Sequence, residues 1–189
     1  MFSAYFKLGI DHILDPSGYD HILFVAVLCA LYAIRDWKKV LLMVTAFTVG
    51  HTATLALSSL DVVSLDPTIV ERLIPLTIIA TALSNIYQPG RIYDGRSSVT
   101  SYLITVMFGL IHGLGFSNYF KALINPEESI VLPLFAFNCG VEAGQIVIVF
   151  CVMLSCWIVT DACGLPRKWW TVSLSSAGLA IAVYLLTDR

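Results

Sequence analysis

The chain has 189 residues, of which 58% are apolar and only 13% are charged. Soluble domains carry about 25% charged residues, so this composition and the mean hydropathy of +0.83 exclude a soluble enzyme and a disordered chain. The formal net charge of −2 argues against a nucleic-acid partner, because binding DNA or RNA requires a basic face that neutralises phosphates.

Six uncharged stretches lie between clusters of charged or turn-forming residues, and each is a candidate membrane helix. A helix needs about 20 apolar residues to cross the hydrocarbon core. In chain order the predicted spans are 20–34, which is short for a full crossing, 40–60, 68–88, 98–120, 129–160 and 169–187. We therefore expect an all-α integral membrane protein, a compact bundle of about six transmembrane helices that forms a single polytopic membrane domain over residues 1–189.

Residues 1–14 precede the first span and do not have the pattern of a cleavable signal peptide. Charged residues interrupt the stretch, and no cleavage site with small residues follows it. Phe2, Tyr5, Phe6 and Ile10 recur at roughly helical spacing. This spacing predicts a short interfacial or re-entrant helix.

Basic residues in short loops predict the orientation of the spans, because cytoplasmic loops are the more basic ones. One side holds seven: Arg35, Lys38, Lys39, Arg91, Arg96, Arg167 and Lys168. The other side holds four: Lys7, Arg72, Lys121 and Arg189. Both termini are therefore expected outside. The outer rim is then acidic and either concentrates cations or forms ordinary solvated loops; it contains Asp11, Asp15, Asp61, Asp66, Glu127 and Glu128.

Ionisable residues inside the predicted spans are candidate functional residues, because such groups are costly at membrane depth. They are Asp20, His21, His51, His112 and Glu142, and the spans bring them to one level in the outer half of the membrane. Imidazoles with carboxylates suit transition metals such as nickel, cobalt or zinc, although a single buried histidine can also be a packing residue. We predict a metal site made of these five residues, with His12 outside the first span as a further candidate.

Uncharged polar residues form stripes on the same spans and are expected to face the interior, since lipid cannot satisfy them. The predicted polar pathway consists of Thr48, Thr52, Asn138, Gln145, Thr77, Thr81 and Asn85. Two glycine pairs with GxxxG spacing flank the candidate ligands, Gly109 with Gly113 and Gly140 with Gly144. They either allow close helix packing or leave room for an ion.

Four blocks of the sequence resemble the HupE/UreJ family of small bacterial membrane proteins. The blocks are Gly-Tyr-Asp-His-Ile-Leu-Phe at 18–24, Phe-Thr-Val-Gly-His-Thr-Ala-Thr-Leu at 47–55, Phe-Gly-Leu-Ile-His-Gly-Leu-Gly-Phe at 108–116 and Phe-Asn-Cys-Gly-Val-Glu-Ala-Gly-Gln at 137–145. The resemblance implies a bacterial inner-membrane protein that takes up nickel or cobalt in support of hydrogenase and urease. It also implies metal-site roles for Asp20, His21, His51, His112 and Glu142. The third span departs from the family pattern, with Pro75 inside it and no second acidic residue near Ser84.

Two functions fit these residues. The first is a divalent transition-metal permease that carries nickel, cobalt or zinc inward along the polar pathway. The alternative is a membrane-embedded zinc hydrolase with Glu142 or Asp20 as general base, acting on a lipid, a lipoprotein or a membrane peptide. An accessory subunit with a vestigial site is a third reading, so whether the protein is an enzyme stays open. The expected partners are a metal ion and membrane lipid, and a homo-oligomer is compatible with the sequence.

The half of the helix bundle nearer the cytoplasm would distinguish the first two functions. A transporter requires a continuous polar route there, whereas a hydrolase requires a closed floor beneath its site.

Overall fold

The computed structural model describes residues 1–89, 95–124 and 129–188, and all their regular secondary structure is helical. The helices are α1 (Phe2–Leu14), α2 (Asp20–Cys29), α3 (Trp37–Ser59), α4 (Pro67–Tyr87), α5 (Gly95–Leu123), α6 (Val131–Trp157) and α7 (Arg167–Asp188). A 3-10 turn, Ile34–Asp36, precedes α3, and a π-helical turn, Ile158–Ala162, follows α6. Arg91, Glu127, Glu128 and Arg189 lie outside the described residues, as do the side chains of Arg96 and Ser98.

Within the described residues, five helices, α3 to α7, are long and apolar enough to cross a membrane. The predicted all-α membrane fold is confirmed, and the protein is multi-pass. The first predicted span is shorter than expected, because α2 has only ten residues and is therefore about 15 Å long. That is about half of the hydrocarbon thickness. The chain leaves the helix at Ala30 and reaches the charged pair Arg35 and Asp36 through a non-helical segment.

The long helices alternate in direction, which gives the bundle two ends. The Ser59 end contains Ser59, Pro67, Leu123 and Val131, and the Trp37 end contains Trp37, Tyr87, Gly95 and Trp157. At the Trp37 end, α2 is tied to α7 by a hydrogen bond from Thr171 Oγ1 to the Ala30 carbonyl, 2.8 Å. It is tied to α4 by Asn85 Nδ2, which donates to the Val27 carbonyl at 2.8 Å. Helix α2 therefore lies inside the bundle although it is short.

Helix α1 packs on α6 through glycine. A Cβ atom on Gly9 or on Gly140 would meet backbone atoms of the other helix, so the two backbones touch at this crossing. Ile13 is fully buried and lies against Gly144, and Tyr5 Oη donates a hydrogen bond to the Leu123 carbonyl, 3.2 Å. The N-terminal segment is therefore a helix held against the bundle.

Helices α3 and α5 touch in the same way, at Gly50, Gly109 and Gly113. A Cβ on Gly109 would meet the backbone of Phe47 and His51, which cannot move without shifting α3. The GxxxG pair on α5 therefore serves close packing. It also holds the His51 backbone next to the turn that carries His112.

Gly109→Ala is expected to lower the free energy of unfolding by about 1–3 kcal/mol, the usual cost of forcing an extra group into a packed interface. Thermal unfolding in detergent micelles measures this. Gly115→Ala is the matched control on the same helix, because its new Cβ would meet side-chain ends and no backbone, Ile74 Cδ1 at 3.0 Å and Val70 Cγ1 at 3.7 Å. An equal loss in both variants would contradict the role given to this crossing.

Candidate metal centre

Three histidines from three helices lie together in the interior of the protein. His12 of α1, His21 of α2 and His51 of α3 each offer one ring nitrogen, and these atoms all lie within 4.8 Å of one another. Nitrogen ligands of a tetrahedral ion lie about 3.4 Å apart if each bond is about 2.1 Å. Small side-chain rotations would therefore allow the three nitrogens to bind one ion.

Helix packing brings these side chains together. His21 is the second residue of α2. His51 lies on the side of α3 that faces the bundle interior, next to the α3–α5 crossing. His12 lies one helical turn after Gly9, so the close α1–α6 contact positions it. Its ring centroid is 4.6 Å from that of His21 and 5.9 Å from that of His51.

The histidine cluster is defined as His12, His21 and His51. Two of its members, His21 and His51, are buried, His12 is half-buried, and their ring nitrogens are short of hydrogen-bond partners. His51 is 0% exposed and His21 is 5% exposed. Among the described residues, Nε2 of His12 and Nε2 of His21 have no hydrogen-bond partner. Asn138 is a polar neighbour of His51, but the pair does not meet hydrogen-bond geometry. A buried polar atom without a partner costs about 1–3 kcal/mol, and a bound metal ion would remove that cost.

Asp20 lies beside the cluster and contacts His21 in two ways. Its Oδ1 accepts a hydrogen bond from the His21 backbone N–H at 2.9 Å and lies 3.1 Å from His21 Nδ1. A carboxylate at one ring nitrogen fixes the orientation of a ligating imidazole and leaves the other nitrogen for the metal. Asp20 is therefore well placed to orient His21.

His112 lies at the edge of the histidine cluster. Its ring centroid is 5.1 Å from that of His21, and its Nε2 lies 3.1 Å from Thr77 Oγ1 of α4. The sequence grouped His112 with His21 and His51 and kept His12 as a further candidate. The structure instead brings His12 into the closest group.

Glu142 is placed apart from the histidine cluster. Its Oε1 accepts a hydrogen bond from Thr45 Oγ1 at 2.5 Å. Thr45 precedes His51 by six residues of α3, a rise of about 9 Å. The role of Glu142 as a ligand therefore stays a prediction without support from the geometry.

The residues of the predicted polar pathway fall into two groups. Between α3 and α6, Thr48 Oγ1 donates to Gln145 Oε1 at 2.8 Å, and Thr52 and Asn138 donate to carbonyls of their own helices. On α4, the residues are Thr77, Thr81 and Asn85.

A cavity of about 260 Å³ opens next to the histidine cluster and also contacts His112. Three carboxylates line it, Asp15, Asp20 and Glu71. Glu71 was not among the sequence candidates, because it stands next to Arg72 near the start of α4, where charged residues usually face lipid headgroups. A second cavity of about 660 Å³ also contacts His12, and Asp11 and Asp15 line it.

The comparison with known proteins identifies the family of the chain. A profile of the family described as HupE / UreJ protein matches residues 1–188. Among curated proteins and solved structures, none matches the chain. Because the match covers essentially the whole sequence, this protein belongs to the HupE/UreJ family.

Proposed function

We propose that the protein is a permease for a divalent transition-metal ion of the nickel or cobalt type. The observation that carries the proposal is the histidine cluster, where three imidazoles from three helices lie within 4.8 Å of one another. Imidazole nitrogens favour nickel, cobalt and zinc over magnesium and calcium. The association of the HupE/UreJ family with nickel and cobalt uptake supports the same ion class.

The acidic cavities are the proposed entrance for the ion. Asp11, Asp15 and Glu71 would attract a hydrated cation. The ion would exchange part of its water for the nitrogens of the histidine cluster, while Asp20 orients His21. His112, 5.1 Å from His21 and in contact with Thr77, is the proposed next position.

We place the Ser59 end outside a bacterial inner membrane, with both termini on that side. Five described basic residues support this orientation by lying at the Trp37 end, namely Arg35, Lys38, Lys39, Arg167 and Lys168. A divalent ion that moves inward gains about 4.6 kcal/mol per 100 mV of membrane potential, twice the value for a single charge. The potential alone could therefore drive uptake.

Uptake by the purified protein tests the proposal. Proteoliposomes that contain a metal-sensitive dye are mixed with Ni²⁺, Co²⁺ or Zn²⁺ while an inside-negative potential is imposed. We expect uptake of Ni²⁺ or Co²⁺ well above that of protein-free liposomes. No uptake of any of the three ions by the wild type would overturn the permease function.

The zinc-hydrolase alternative is favoured by one observation, the aromatic residues beside the cluster. The Phe24 and Phe47 rings lie 5.3 Å and 5.0 Å from the His112 ring and form a floor toward the Trp37 end. In this alternative a zinc ion on the cluster would activate water, with Asp20 as the nearby base. Stoichiometric zinc without uptake, together with cleavage of a lipid or membrane peptide, would favour it.

Glu142→Gln separates the roles that remain for this carboxylate. We expect Ni²⁺ affinity to stay within about threefold of the wild type, because glutamine can still accept the hydrogen bond from Thr45. Titration calorimetry of the detergent-solubilised protein measures the affinity. Tenfold weaker binding would establish Glu142 as a ligand after all. Unchanged binding with lost uptake would assign it to ion movement, and unchanged binding with lost hydrolysis would make it a general base.

A further inference from the structure

A cavity of about 200 Å³ lies in the half of the bundle nearer the Trp37 end, and we call it the lateral cavity. The end of α2 and helix α3 form its back wall, where Leu28 and Met43 are buried. Helices α4 and α5 form its sides. Phe108 of α5 also lines it, and the Phe108 ring centroid is 5.9 Å from that of Phe24. These two rings separate the lateral cavity from the histidine cluster.

The lateral cavity opens between α4 and α5 on the outer face of the bundle. Ala80, Ser84 and Ile104 line it and are exposed. Ala80 precedes Tyr87, the last residue of α4, by seven residues, a rise of about 10 Å. Tyr87 is 82% exposed, and tyrosine is enriched where a membrane meets water. The opening therefore lies below the interface, at the depth of the acyl chains.

The lining of the lateral cavity is mostly apolar. Among the described residues that form it, none carries a carboxylate, an imidazole or a basic group. A charged or strongly hydrated ligand would therefore find no counter-charge there. The apolar walls include Leu28, Leu31, Met43, Ala80, Ile104 and Phe108.

The polar groups of the lateral cavity are bonded within the protein. Thr81 Oγ1 donates to the carbonyl one helical turn earlier, and Thr105 Oγ1 does the same, each at 2.8 Å. Asn85 Nδ2 donates to the Val27 carbonyl at 2.8 Å and to Ser175 Oγ at 3.2 Å. In the described part of the chain, no buried side-chain nitrogen or oxygen that lines this cavity lacks a partner. The cavity therefore needs no water to satisfy its walls.

We propose that the lateral cavity binds one acyl chain of a phospholipid, which enters from the membrane between α4 and α5. An apolar cavity of about 150 Å³ stays dry and takes up benzene or xenon, so about 200 Å³ accommodates a segment of an acyl chain. The opening meets hydrocarbon and not water. The lipid belongs to the leaflet at the Trp37 end, with its headgroup near the level of Tyr87. This inference does not depend on the permease function.

The shape of the opening favours a chain over a second copy of the protein. Small side chains, Ala80 and Ser84, border it on α4, so a flexible chain can pass between the helices. A helix of a second copy would cover the opening and leave Leu28 and Met43 at the back wall without contact. The back wall therefore distinguishes the two occupants.

The first test asks whether an acyl chain reaches the back wall. The wild type is reconstituted in vesicles of phosphatidylethanolamine and phosphatidylglycerol, with a small fraction of phosphatidylethanolamine that carries a diazirine within one acyl chain. After illumination, mass spectrometry of peptides locates the adducts. We expect adducts on Met43 or Leu28, which are 5% and 7% exposed. Leu103, 62% exposed and outside the cavity, reports contact with bulk lipid. Adducts confined to such lipid-facing residues would overturn the proposal.

A variant that fills the cavity sharpens this test. In Thr81→Phe we expect labelling of the back wall to fall at least about fivefold, because the ring occupies the space of the chain. Leu83→Phe is the matched control, since Leu83 is on the same helix, is 37% exposed and does not line the cavity. Labelling of Leu103 should be equal in both. Unchanged labelling of the back wall in a folded Thr81→Phe would contradict the site, and the wild-type adducts decide the proposal if this variant does not fold.

Native mass spectrometry identifies the occupant. Protein extracted from membranes in a mild detergent is released from the micelle in the gas phase. We expect a species that retains the mass of one phospholipid, and we expect this species to be lost in Thr81→Phe and kept in Leu83→Phe. A retained quinone or other isoprenoid lipid would overturn the assignment to a phospholipid. Failure of the wild type in the dye assay would defeat the permease function and leave these results unchanged.

Discussion

His51→Ala is expected to weaken Ni²⁺ binding by more than about 100-fold and to abolish uptake. His51 is fully buried and provides one of the three clustered nitrogens, so its removal leaves two imidazoles for the ion. Changes to groups that only orient a ligand already cost about 10–100-fold in affinity, and loss of a ligand should cost more. Titration calorimetry and the dye assay measure both effects.

A comparison of two other histidines gives this prediction its control. His12→Ala should be nearly as damaging as His51→Ala, because His12 belongs to the histidine cluster. His112→Ala should weaken binding by about tenfold or less while uptake falls further, because His112 lies at the edge. The reverse order, with His112 essential for binding and His12 dispensable, would restore the grouping predicted from the sequence.

Gly9→Leu is expected to detach α1 from α6 and to remove His12 from the cluster. The new side chain would have to occupy the space of the backbone at Phe137 and Gly140, so the helices could not remain in contact. We expect Ni²⁺ affinity to fall about as far as in His12→Ala. Trypsin should also cleave after Lys7 much faster than in the wild type.

Gly18→Ala is the matched control for Gly9→Leu. A Cβ at this position meets only Asp15 Oδ2, at 3.7 Å, which is an ordinary contact. Affinity and cleavage rate should therefore stay close to the wild type. Normal Ni²⁺ binding by Gly9→Leu would mean that α1 is not needed for the site.

The class of fold could be predicted because a membrane leaves few choices. In the absence of water, the backbone N–H and C=O groups of a long uncharged stretch must form hydrogen bonds within a helix. Helices α3 to α7 follow the predicted spans closely. The length of α2 could not be predicted in the same way. Its apolar composition continues to Ile34, but contacts with α4 and α7 at Val27 and Ala30 determine where the helix ends.

The candidate site could be predicted only in part. The sequence shows which residues are candidate ligands, but the contacts between distant helices determine which of them come together. Because burying a histidine in a membrane is costly, His21, His51 and His112 could be identified as candidates from their positions in the predicted spans. The position of His12 depends on the meeting of Gly9 with Gly140, more than 100 residues apart, which no local pattern reveals. Glu142 is also an ionisable residue inside a predicted span, but its side chain lies next to Thr45, to which it is hydrogen-bonded.

The docking of α1 on α6 also has a consequence for biosynthesis. All three members of the histidine cluster lie within the first 51 residues, so they leave the ribosome early. Helix α1, which carries His12, packs on Gly140 and Gly144 of α6, and these residues are made much later. The three histidines are therefore synthesised early, but packing brings them together only after α6 has entered the membrane.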